Sequence, residues 1–255
     1  MLLVLFGRAV IACERYLYQT SAHPARGFTV PNVSEPYRQR AFAVPPDATE
    51  LIVVRHAASA AIGQGESFPL VGGHGDPPLA PEGMAQAVTV AERLHGEPIR
   101  KLFVTPLRRT AQTAEPLVAA TGLRPVVIEE LREVYLGEWE GGEYRIRIAD
   151  RDPLAMRALM EERWDVIPGA EPMEALAERV RAGLDRMLSE LGPGGVGVAV
   201  LHGGVIGELC RQVTRSRPFA FIHADNCSIS RIVQFPTGHR LLRSFNDTAH
   251  LNGGG

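Results

Sequence analysis

The stretch "LIVVRHAASA", residues 51–60, decides how the chain is read. Leu51, Ile52, Val53 and Val54 form an unbroken apolar run in which three of the four are β-branched. Such a run suits a strand buried on both faces, because a half-exposed strand would alternate apolar with polar residues. The run ends in Arg55-His56, and residues 57–60 are all small. A buried strand that delivers an arginine and a histidine side by side, with nothing bulky behind them, lets a ligand approach the backbone closely.

Outward from this stretch, apolar β-type runs alternate with segments of helical period. "ELIVV" (50–54), "KLFVT" (101–105), "PVVIEE" (125–130) and "VGVAVL" (196–201) read as strands, and "SISRIVQF" and "RLLRSF" as late strands near a sheet edge. Residues 81–96, 107–122, 153–163 and 172–191 carry helical spacing, and a further helix is expected from about Gly204. Pro81 suits the first helical position, Gly96 suits the C′ position, and Pro116 is expected to interrupt its helix. Strands alternating with helices imply an α/β fold with a mainly parallel central sheet and helices on both faces. In such folds ligands bind beyond the carboxyl ends of the strands, which is where Arg55 and His56 fall.

The 255 residues, 45% hydrophobic and 22% charged, fit one globular domain plus an addition. Residues 1–48 read as an N-terminal extension, partly irregular, and residues 49–255 as the main domain. A net charge of −2 gives no basic excess, so nucleic acid is not expected as a partner. Cys13, Cys210 and Cys227 have an odd count and no CxxC spacing, which suits reduced thiols in a cytoplasmic protein. "MLLVLFGRAVIAC" places Arg8 inside its apolar run, whereas a secretory signal places its charge before it. "VIAC" resembles a lipoprotein cleavage box at Cys13, against which the misplaced charge argues. The run is too short to span a bilayer, so no stable membrane association is expected.

A second site has the grammar of the first. "VAVLHGGVIGEL" is an apolar strand, then His202, then Gly203-Gly204 and a helix start, which leaves backbone N–H groups open to an anion. In "VTPLRRTAQTAEPL" a strand end is followed by Arg108-Arg109, whose guanidinium forks match phosphate oxygens. "LREVYLGEWEGG" sets Glu133 just past an apolar run, either as a solvated turn or as an acid at the mouth of the same pocket.

In chain order, "VRHAASA", "TPLRRTAQTAEPL", "LREVYLGEWEGG", "IPGAEP" and "VLHGGVI" resemble the signature blocks of the histidine phosphatase superfamily, also called phosphoglycerate-mutase-like. The resemblance covers about residues 50–250. It implies a three-layer α/β/α sandwich, a phosphohistidine intermediate and no metal or other cofactor. The nucleophile falls on His56, the phosphate-binding arginines on Arg55 and Arg109, the acid/base carboxylate on Glu133 and the second pocket histidine on His202. Gly203 and Arg108 join them as substrate-binding candidates, and "DNCSIS" adds Asn226 and Ser228 as weaker ones.

The chemistry fits these residue types. A phosphomonoester repels nucleophiles, so catalysis is mostly positioning and charge neutralisation, expected here from Arg55, Arg109 and a protonated His202. His56 must be neutral at the attacking nitrogen, so its other ring N–H needs an acceptor, expected to be a backbone carbonyl. Glu133 would protonate the leaving oxygen and later take a proton from water.

Ala57, Thr105 and Ile62 depart from the family's glycine, serine and mutase asparagine. Leu136, Gly204 and the lack of any lysine beyond Lys101 likewise depart from the mutase pattern. The expected activity is therefore a phosphomonoesterase acting on a small phosphorylated metabolite, with cofactor-dependent phosphoglycerate mutase as the alternative. A non-catalytic phospho-ligand-binding member of the fold is a more distant one, and a homodimer is left open. A metallohydrolase using His74, Asp76, His202, His223 and Asp225 has the ligand types but no HxH or HExxH spacing. Segment 138–175, with Trp139, Arg145, Arg147, Trp164 and Glu171, is expected to cap the pocket.

Overall fold

The computed structural model describes residue 39 and residues 41–251. Its strands are β1 (Thr49–Arg55), β2 (Leu70–Val71), β3 (His74–Gly75), β4 (Lys101–Val104), β5 (Val126–Val127), β6 (Val196–Leu201), β7 (Ile229–Gln234) and β8 (Arg240–Asp247). Its α-helices are α1 (Pro81–Arg93), α2 (Arg108–Thr121), α3 (Glu143–Ala149), α4 (Pro153–Glu161), α5 (Met173–Leu191) and α6 (Gly203–Thr214). Six strands form one sheet in the order β5-β4-β6-β1-β7-β8, and β2-β3 is a separate small hairpin. The pairs β1–β6, β6–β4 and β4–β5 are parallel, while β7 and β8 run antiparallel at one side.

Strand periodicity produces the layers, since successive side chains point to opposite faces. Ile52 and Val54 pack with Ala87 and Val90 of α1 and with Ala114 and Leu117 of α2. Leu51 and Val53 pack on the other face with Val180 and Leu184 of α5 and with Val205 and Leu209 of α6. The result is the expected α/β/α sandwich. α5 buries Leu176, Val180, Leu184, Met187, Leu188 and Leu191, an apolar stripe at helical spacing. Asp152 caps α4 by accepting from Leu154 N–H and Ala155 N–H.

Local expectations needed adjustment. The strand over 125–130 is only Val126–Val127, followed by a 3-10 turn over Glu129–Leu131. β5 has a partner on one side only, and turning the chain there buries Ile128 and Leu131 completely. α2 is not interrupted by Pro116 but runs through it. The proline removes one helix hydrogen bond, and the burial of Ala114 and Leu117 on either side of it holds the helix together. α1 ends at Arg93 with Leu94 as C-cap, so Gly96, with φ +88°, lies one residue past C′.

From Ala43 onward the described chain is one compact unit. Of the expected extension, residues 1–38 and 40, Cys13 among them, lie outside the described residues. At its end Ala48 is buried, and the Asp47 carbonyl accepts from Gly194 N–H at 3.3 Å. No helix among the described residues is long and apolar enough to cross a membrane.

One helix–loop contact fixes the segment that follows β1. A Cβ on Gly83 of α1 would stand 2.0 Å from the Ala58 carbonyl oxygen. Helix propensity alone predicts that Gly83→Ala stabilises by up to about 1 kcal/mol. Overpacking against rigid backbone costs roughly 1–3 kcal/mol and should win. Urea unfolding of this variant should show a lower midpoint; a raised midpoint would mean that the loop yields freely.

Candidate active site

The site begins with strand register. β1 and β6 pair in parallel with Arg55 opposite Leu201, and the His56 N–H continues the ladder to the Leu201 carbonyl at 2.8 Å. The two strands therefore end level, and the histidines that follow them lie side by side. Their ring centroids are 5.3 Å apart at 61°. β4 ends on the other flank of β6, where Thr105 Oγ1 lies 2.8 Å from His202 Nε2.

The His56 ring is oriented by its own backbone. Nδ1 donates to the Ala57 carbonyl at 2.8 Å, which leaves the lone pair on Nε2. That segment is held in turn: Ala57 N–H donates to Thr113 Oγ1, Ala58 N–H to Gln86 Oε1, and the Ala58 carbonyl accepts from Ala80 N–H. Burial, with Arg109 and then Arg55 beside it, holds the His56 pKa well below the usual 6.5. Burial, with Arg109 and then His56, His74 and Arg55 beside it, does likewise to His202, which is fully buried. With no anion in the site, His202 is therefore biased towards its neutral form, whereas the sequence reading expected it protonated against a bound phosphate. Its Nδ1 is buried with no hydrogen-bond partner. If the Thr105 hydroxyl donates to Nε2, the ring proton lies on Nδ1 and is available as a donor.

Three guanidiniums share this end of the site. Arg55 donates from Nη1 to the Ala224 carbonyl at 2.5 Å and keeps a buried Nε without a partner. Arg109, 6% exposed, donates to the Gly75 carbonyl at 2.9 Å with Asp76 Oδ1 at 4.0 Å. Arg145 donates to the Ala60 carbonyl at 2.9 Å and to Ser59 Oγ at 2.7 Å, and stacks 5.6 Å from the Phe68 ring centroid. Glu133 accepts from Val134 N–H at 2.9 Å through Oε1 and from Gly204 N–H at 3.5 Å through Oε2. Arg55, His56, Arg109, Glu133, Arg145 and Gly203 all line one cavity of about 400 Å³.

The model of the histidine phosphatase superfamily (branch 1) matches residues 51–248. The chain belongs to this superfamily. It is 31% identical over 186 residues to "Probable phosphoglycerate mutase GpmB" of Yersinia enterocolitica, covering 71% of this chain and 86% of that one. Among solved structures it resembles mycobacterial glucosyl-3-phosphoglycerate phosphatase, with TM-score 0.65 and 26% identity, over 79% of this chain and all of that one. The alpha-ribazole phosphatase of Shigella flexneri shares the fold, with TM-score 0.63 and 23% identity over 78% of this chain and 96% of that one.

Not every sequence candidate reaches the cavity. Arg108 turns away: its N–H and Nε donate to Asp76, and its side chain is 45% exposed. Asn226 stands behind His56 and donates to the His56 carbonyl at 2.8 Å. Ser228 is buried, with its hydroxyl unpartnered. In the 138–175 segment Trp139, Arg145 and Trp164 line the cavity. Arg147 is engaged by Glu143 and Asp152, and Glu171 by Arg179 and Tyr135 N–H. The metallohydrolase candidates are dispersed into other roles: His74 bonds the Gly72 and Glu133 carbonyls, Asp76 the two arginines and His202 Thr105. Among the described residues no three His, Cys, Asp or Glu side chains form a metal-binding group. Sequence reasoning missed Asp76 as the anchor of the Arg108-Arg109 turn and Phe68 as a wall. Neither carries a local signal, since both lie in the irregular loop before α1.

The depressed histidines give the site a pH signature. Below pH 6.5 the unfolded chain binds protons at both imidazoles that the folded chain refuses. Stability is therefore full above that value and falls as pH drops towards the folded pKa values. Denaturant titrations between pH 7 and 5 should show this loss, reduced in slope by His56→Gln. A pH-independent midpoint would show that both rings titrate normally.

Proposed function

We propose that this chain hydrolyses small phosphomonoesters through a phosphohistidine on His56. The observation that carries the reading is the Nδ1 bond to the Ala57 carbonyl, which leaves Nε2 unprotonated beside three guanidiniums. In this reading Arg55, Arg109 and Arg145 neutralise the phosphoryl oxygens, joined by the Gly203 N–H at the start of α6 and by His202 Nδ1. His56 Nε2 attacks phosphorus, and the ester P–O bond breaks on the opposite side. Glu133 acts as general acid, giving a proton to the leaving alcohol oxygen. The resulting carboxylate then takes a proton from water, whose oxygen attacks phosphorus; the P–N bond breaks, releasing inorganic phosphate and neutral His56.

Arg108 and Asn226 serve as supports in this scheme. Arg108 fixes Asp76, which faces Arg109, and Asn226 fixes the His56 backbone. The cations are side chains, so a metal-independent reaction is proposed. The buried thiols of Cys210 and Cys227, their pKa values pushed up to about 12, suit a cytoplasmic setting.

The similarity to a phosphoglycerate mutase favours a second reading, isomerisation with a bisphosphate cofactor. Local packing supports hydrolysis instead. Mutases resembling this chain carry an asparagine after their second His-Gly, where Gly204 stands here; a Cβ at Gly204 would meet Val134 Cγ2 at 2.5 Å and Glu133 Oε1 at 2.9 Å, so a side chain there would displace Val134 or Glu133. The test supplies 3-phosphoglycerate with catalytic 2,3-bisphosphoglycerate and follows 2-phosphoglycerate and phosphate together. Isomerisation much faster than phosphate release would overturn the hydrolytic reading.

Further outcomes are expected. Rapid quench should trap acid-labile, base-stable phosphate on residue 56, and His56→Ala should abolish turnover; label on another residue would displace the nucleophile. Glu133→Gln should lose roughly 10²–10⁴-fold on alkyl phosphates and much less on nitrophenyl phosphate, whose leaving group needs no proton. Equal losses on both would move the acid elsewhere. EDTA should leave all of these rates unchanged.

A further inference from the structure

The cavity has two chemically distinct ends. Its Lys and Arg lining consists of Arg55, Arg109 and Arg145. All three gather at His56, since each depresses its pKa and Arg145 is tied to Ser59 and Ala60 just beyond it. The other end is apolar and starts at the proposed proton donor. The Trp164 ring lies 3.5 Å from a Cβ position on Gly204, and that position is 2.9 Å from Glu133 Oε1. From Trp164 the wall continues to Tyr144 at 5.8 Å and on to Trp139 at 6.4 Å between ring centroids. Ile148, Leu159 and Ile222 extend it. Burial, with Glu133 nearby, pushes the Tyr144 hydroxyl up to about 12, so this wall stays uncharged. The acidic groups here offer a second anion nothing: Glu140 is closed onto Gly75 N–H and Leu136 N–H, and Asp225 stands exposed at the mouth.

Given the hydrolytic reading above, on which this rests, we propose that the alcohol released is an uncharged body with an aromatic or hydrocarbon face, and that phosphorylated acids are poor substrates. The leaving oxygen takes its proton from Glu133, so the carbon skeleton attached to it starts beside Trp164 and lies along the wall. A ring there is removed from water on a face of three aromatic side chains. A carboxylate there would lie beside Glu133, with Arg55 and Arg109 taken up by the phosphoryl oxygens in this reading and only the exposed His223 imidazole left in the lining to meet it. Arg145 cannot turn to such a group without leaving Ser59, Ala60 and the Phe68 ring.

The test compares 2-phenylethyl phosphate, glycerol 3-phosphate and 3-phosphoglycerate. All three release a primary alcohol, so chemistry is matched and only the body differs. In the wild-type enzyme kcat/KM for 2-phenylethyl phosphate should exceed that for 3-phosphoglycerate by about 30-fold or more, the order expected from burying one ring. Leu159→Arg places a cation on the partly exposed edge of the wall and should cut that ratio at least about tenfold. Equal or faster turnover of 3-phosphoglycerate by the wild type would overturn the proposal and leave the hydrolytic reading standing. An unchanged ratio in a folded Leu159→Arg enzyme would overturn the assignment of this wall to the leaving group. Phosphate release from none of the three would overturn both readings.

Discussion

The pairing of β1 with β6 is the constraint on which the rest of the site depends. Its last bond, His56 N–H to the Leu201 carbonyl, sets two strand ends level and lays two histidines against each other. A slip of one residue would turn every side chain of β1 to the opposite face. It would exchange Ile52 and Val54 with Leu51 and Val53 between two differently shaped half-cores, one beneath α1 and α2 and the other beneath α5 and α6. The register is thus defended by the whole apolar interior. Core packing therefore sets the backbone positions of both histidines, and the side-chain bonds around His56 then orient its ring.

Electrostatics works against the empty site and for the occupied one. Three guanidiniums crowd one end of a cavity of about 400 Å³, and two buried histidines respond by staying neutral. Arg55 Nε and His202 Nδ1 are buried with no partner. Unpaired buried donors beside a concentration of positive charge are costly in a free protein. In the proposed reaction the charge of a phosphate dianion offsets the repulsion among the arginines. The proposed reaction uses this arrangement: neutral His56 is the competent nucleophile, and the same cations that keep it neutral receive the phosphoryl oxygens.

The backbone after each strand is prepared with equal care. Thr113 and Gln86 hold the two peptides after His56, and Asn226 holds its carbonyl. Gly83 lets α1 press on Ala58, and Gly204 lets Glu133 and Val134 close on the start of α6. These contacts come from four different elements, and each fixes a peptide plane or a carboxylate. They place the His56 ring, and the carboxyl group proposed to serve it, on a rigid frame, which is what a reaction governed by positioning requires.

Much of this was legible in the chain. Alternating apolar runs and helical stripes predicted the layered α/β fold, because burial on both faces leaves a strand no polar positions. Arg55, His56, Arg109 and Gly203 were legible as one site because each lies at a strand end or helix start, and parallel strands bring such ends to one edge; Glu133, in an irregular segment, was assigned by the family resemblance. Other features depended on contacts between distant segments. The lowered pKa of His202 follows from burial, and after it from Arg109 remote in sequence, and the outward turn of Arg108 follows from Asp76 in a loop without periodicity. The place of Arg145 follows from Ser59 and Ala60, 86 and 85 residues away. Sequence by itself determined which residues arrive at the sheet edge, because that depends on local period. Only the tertiary structure decided which way they point and which charge they carry, because both depend on what stands within a few ångströms across the fold.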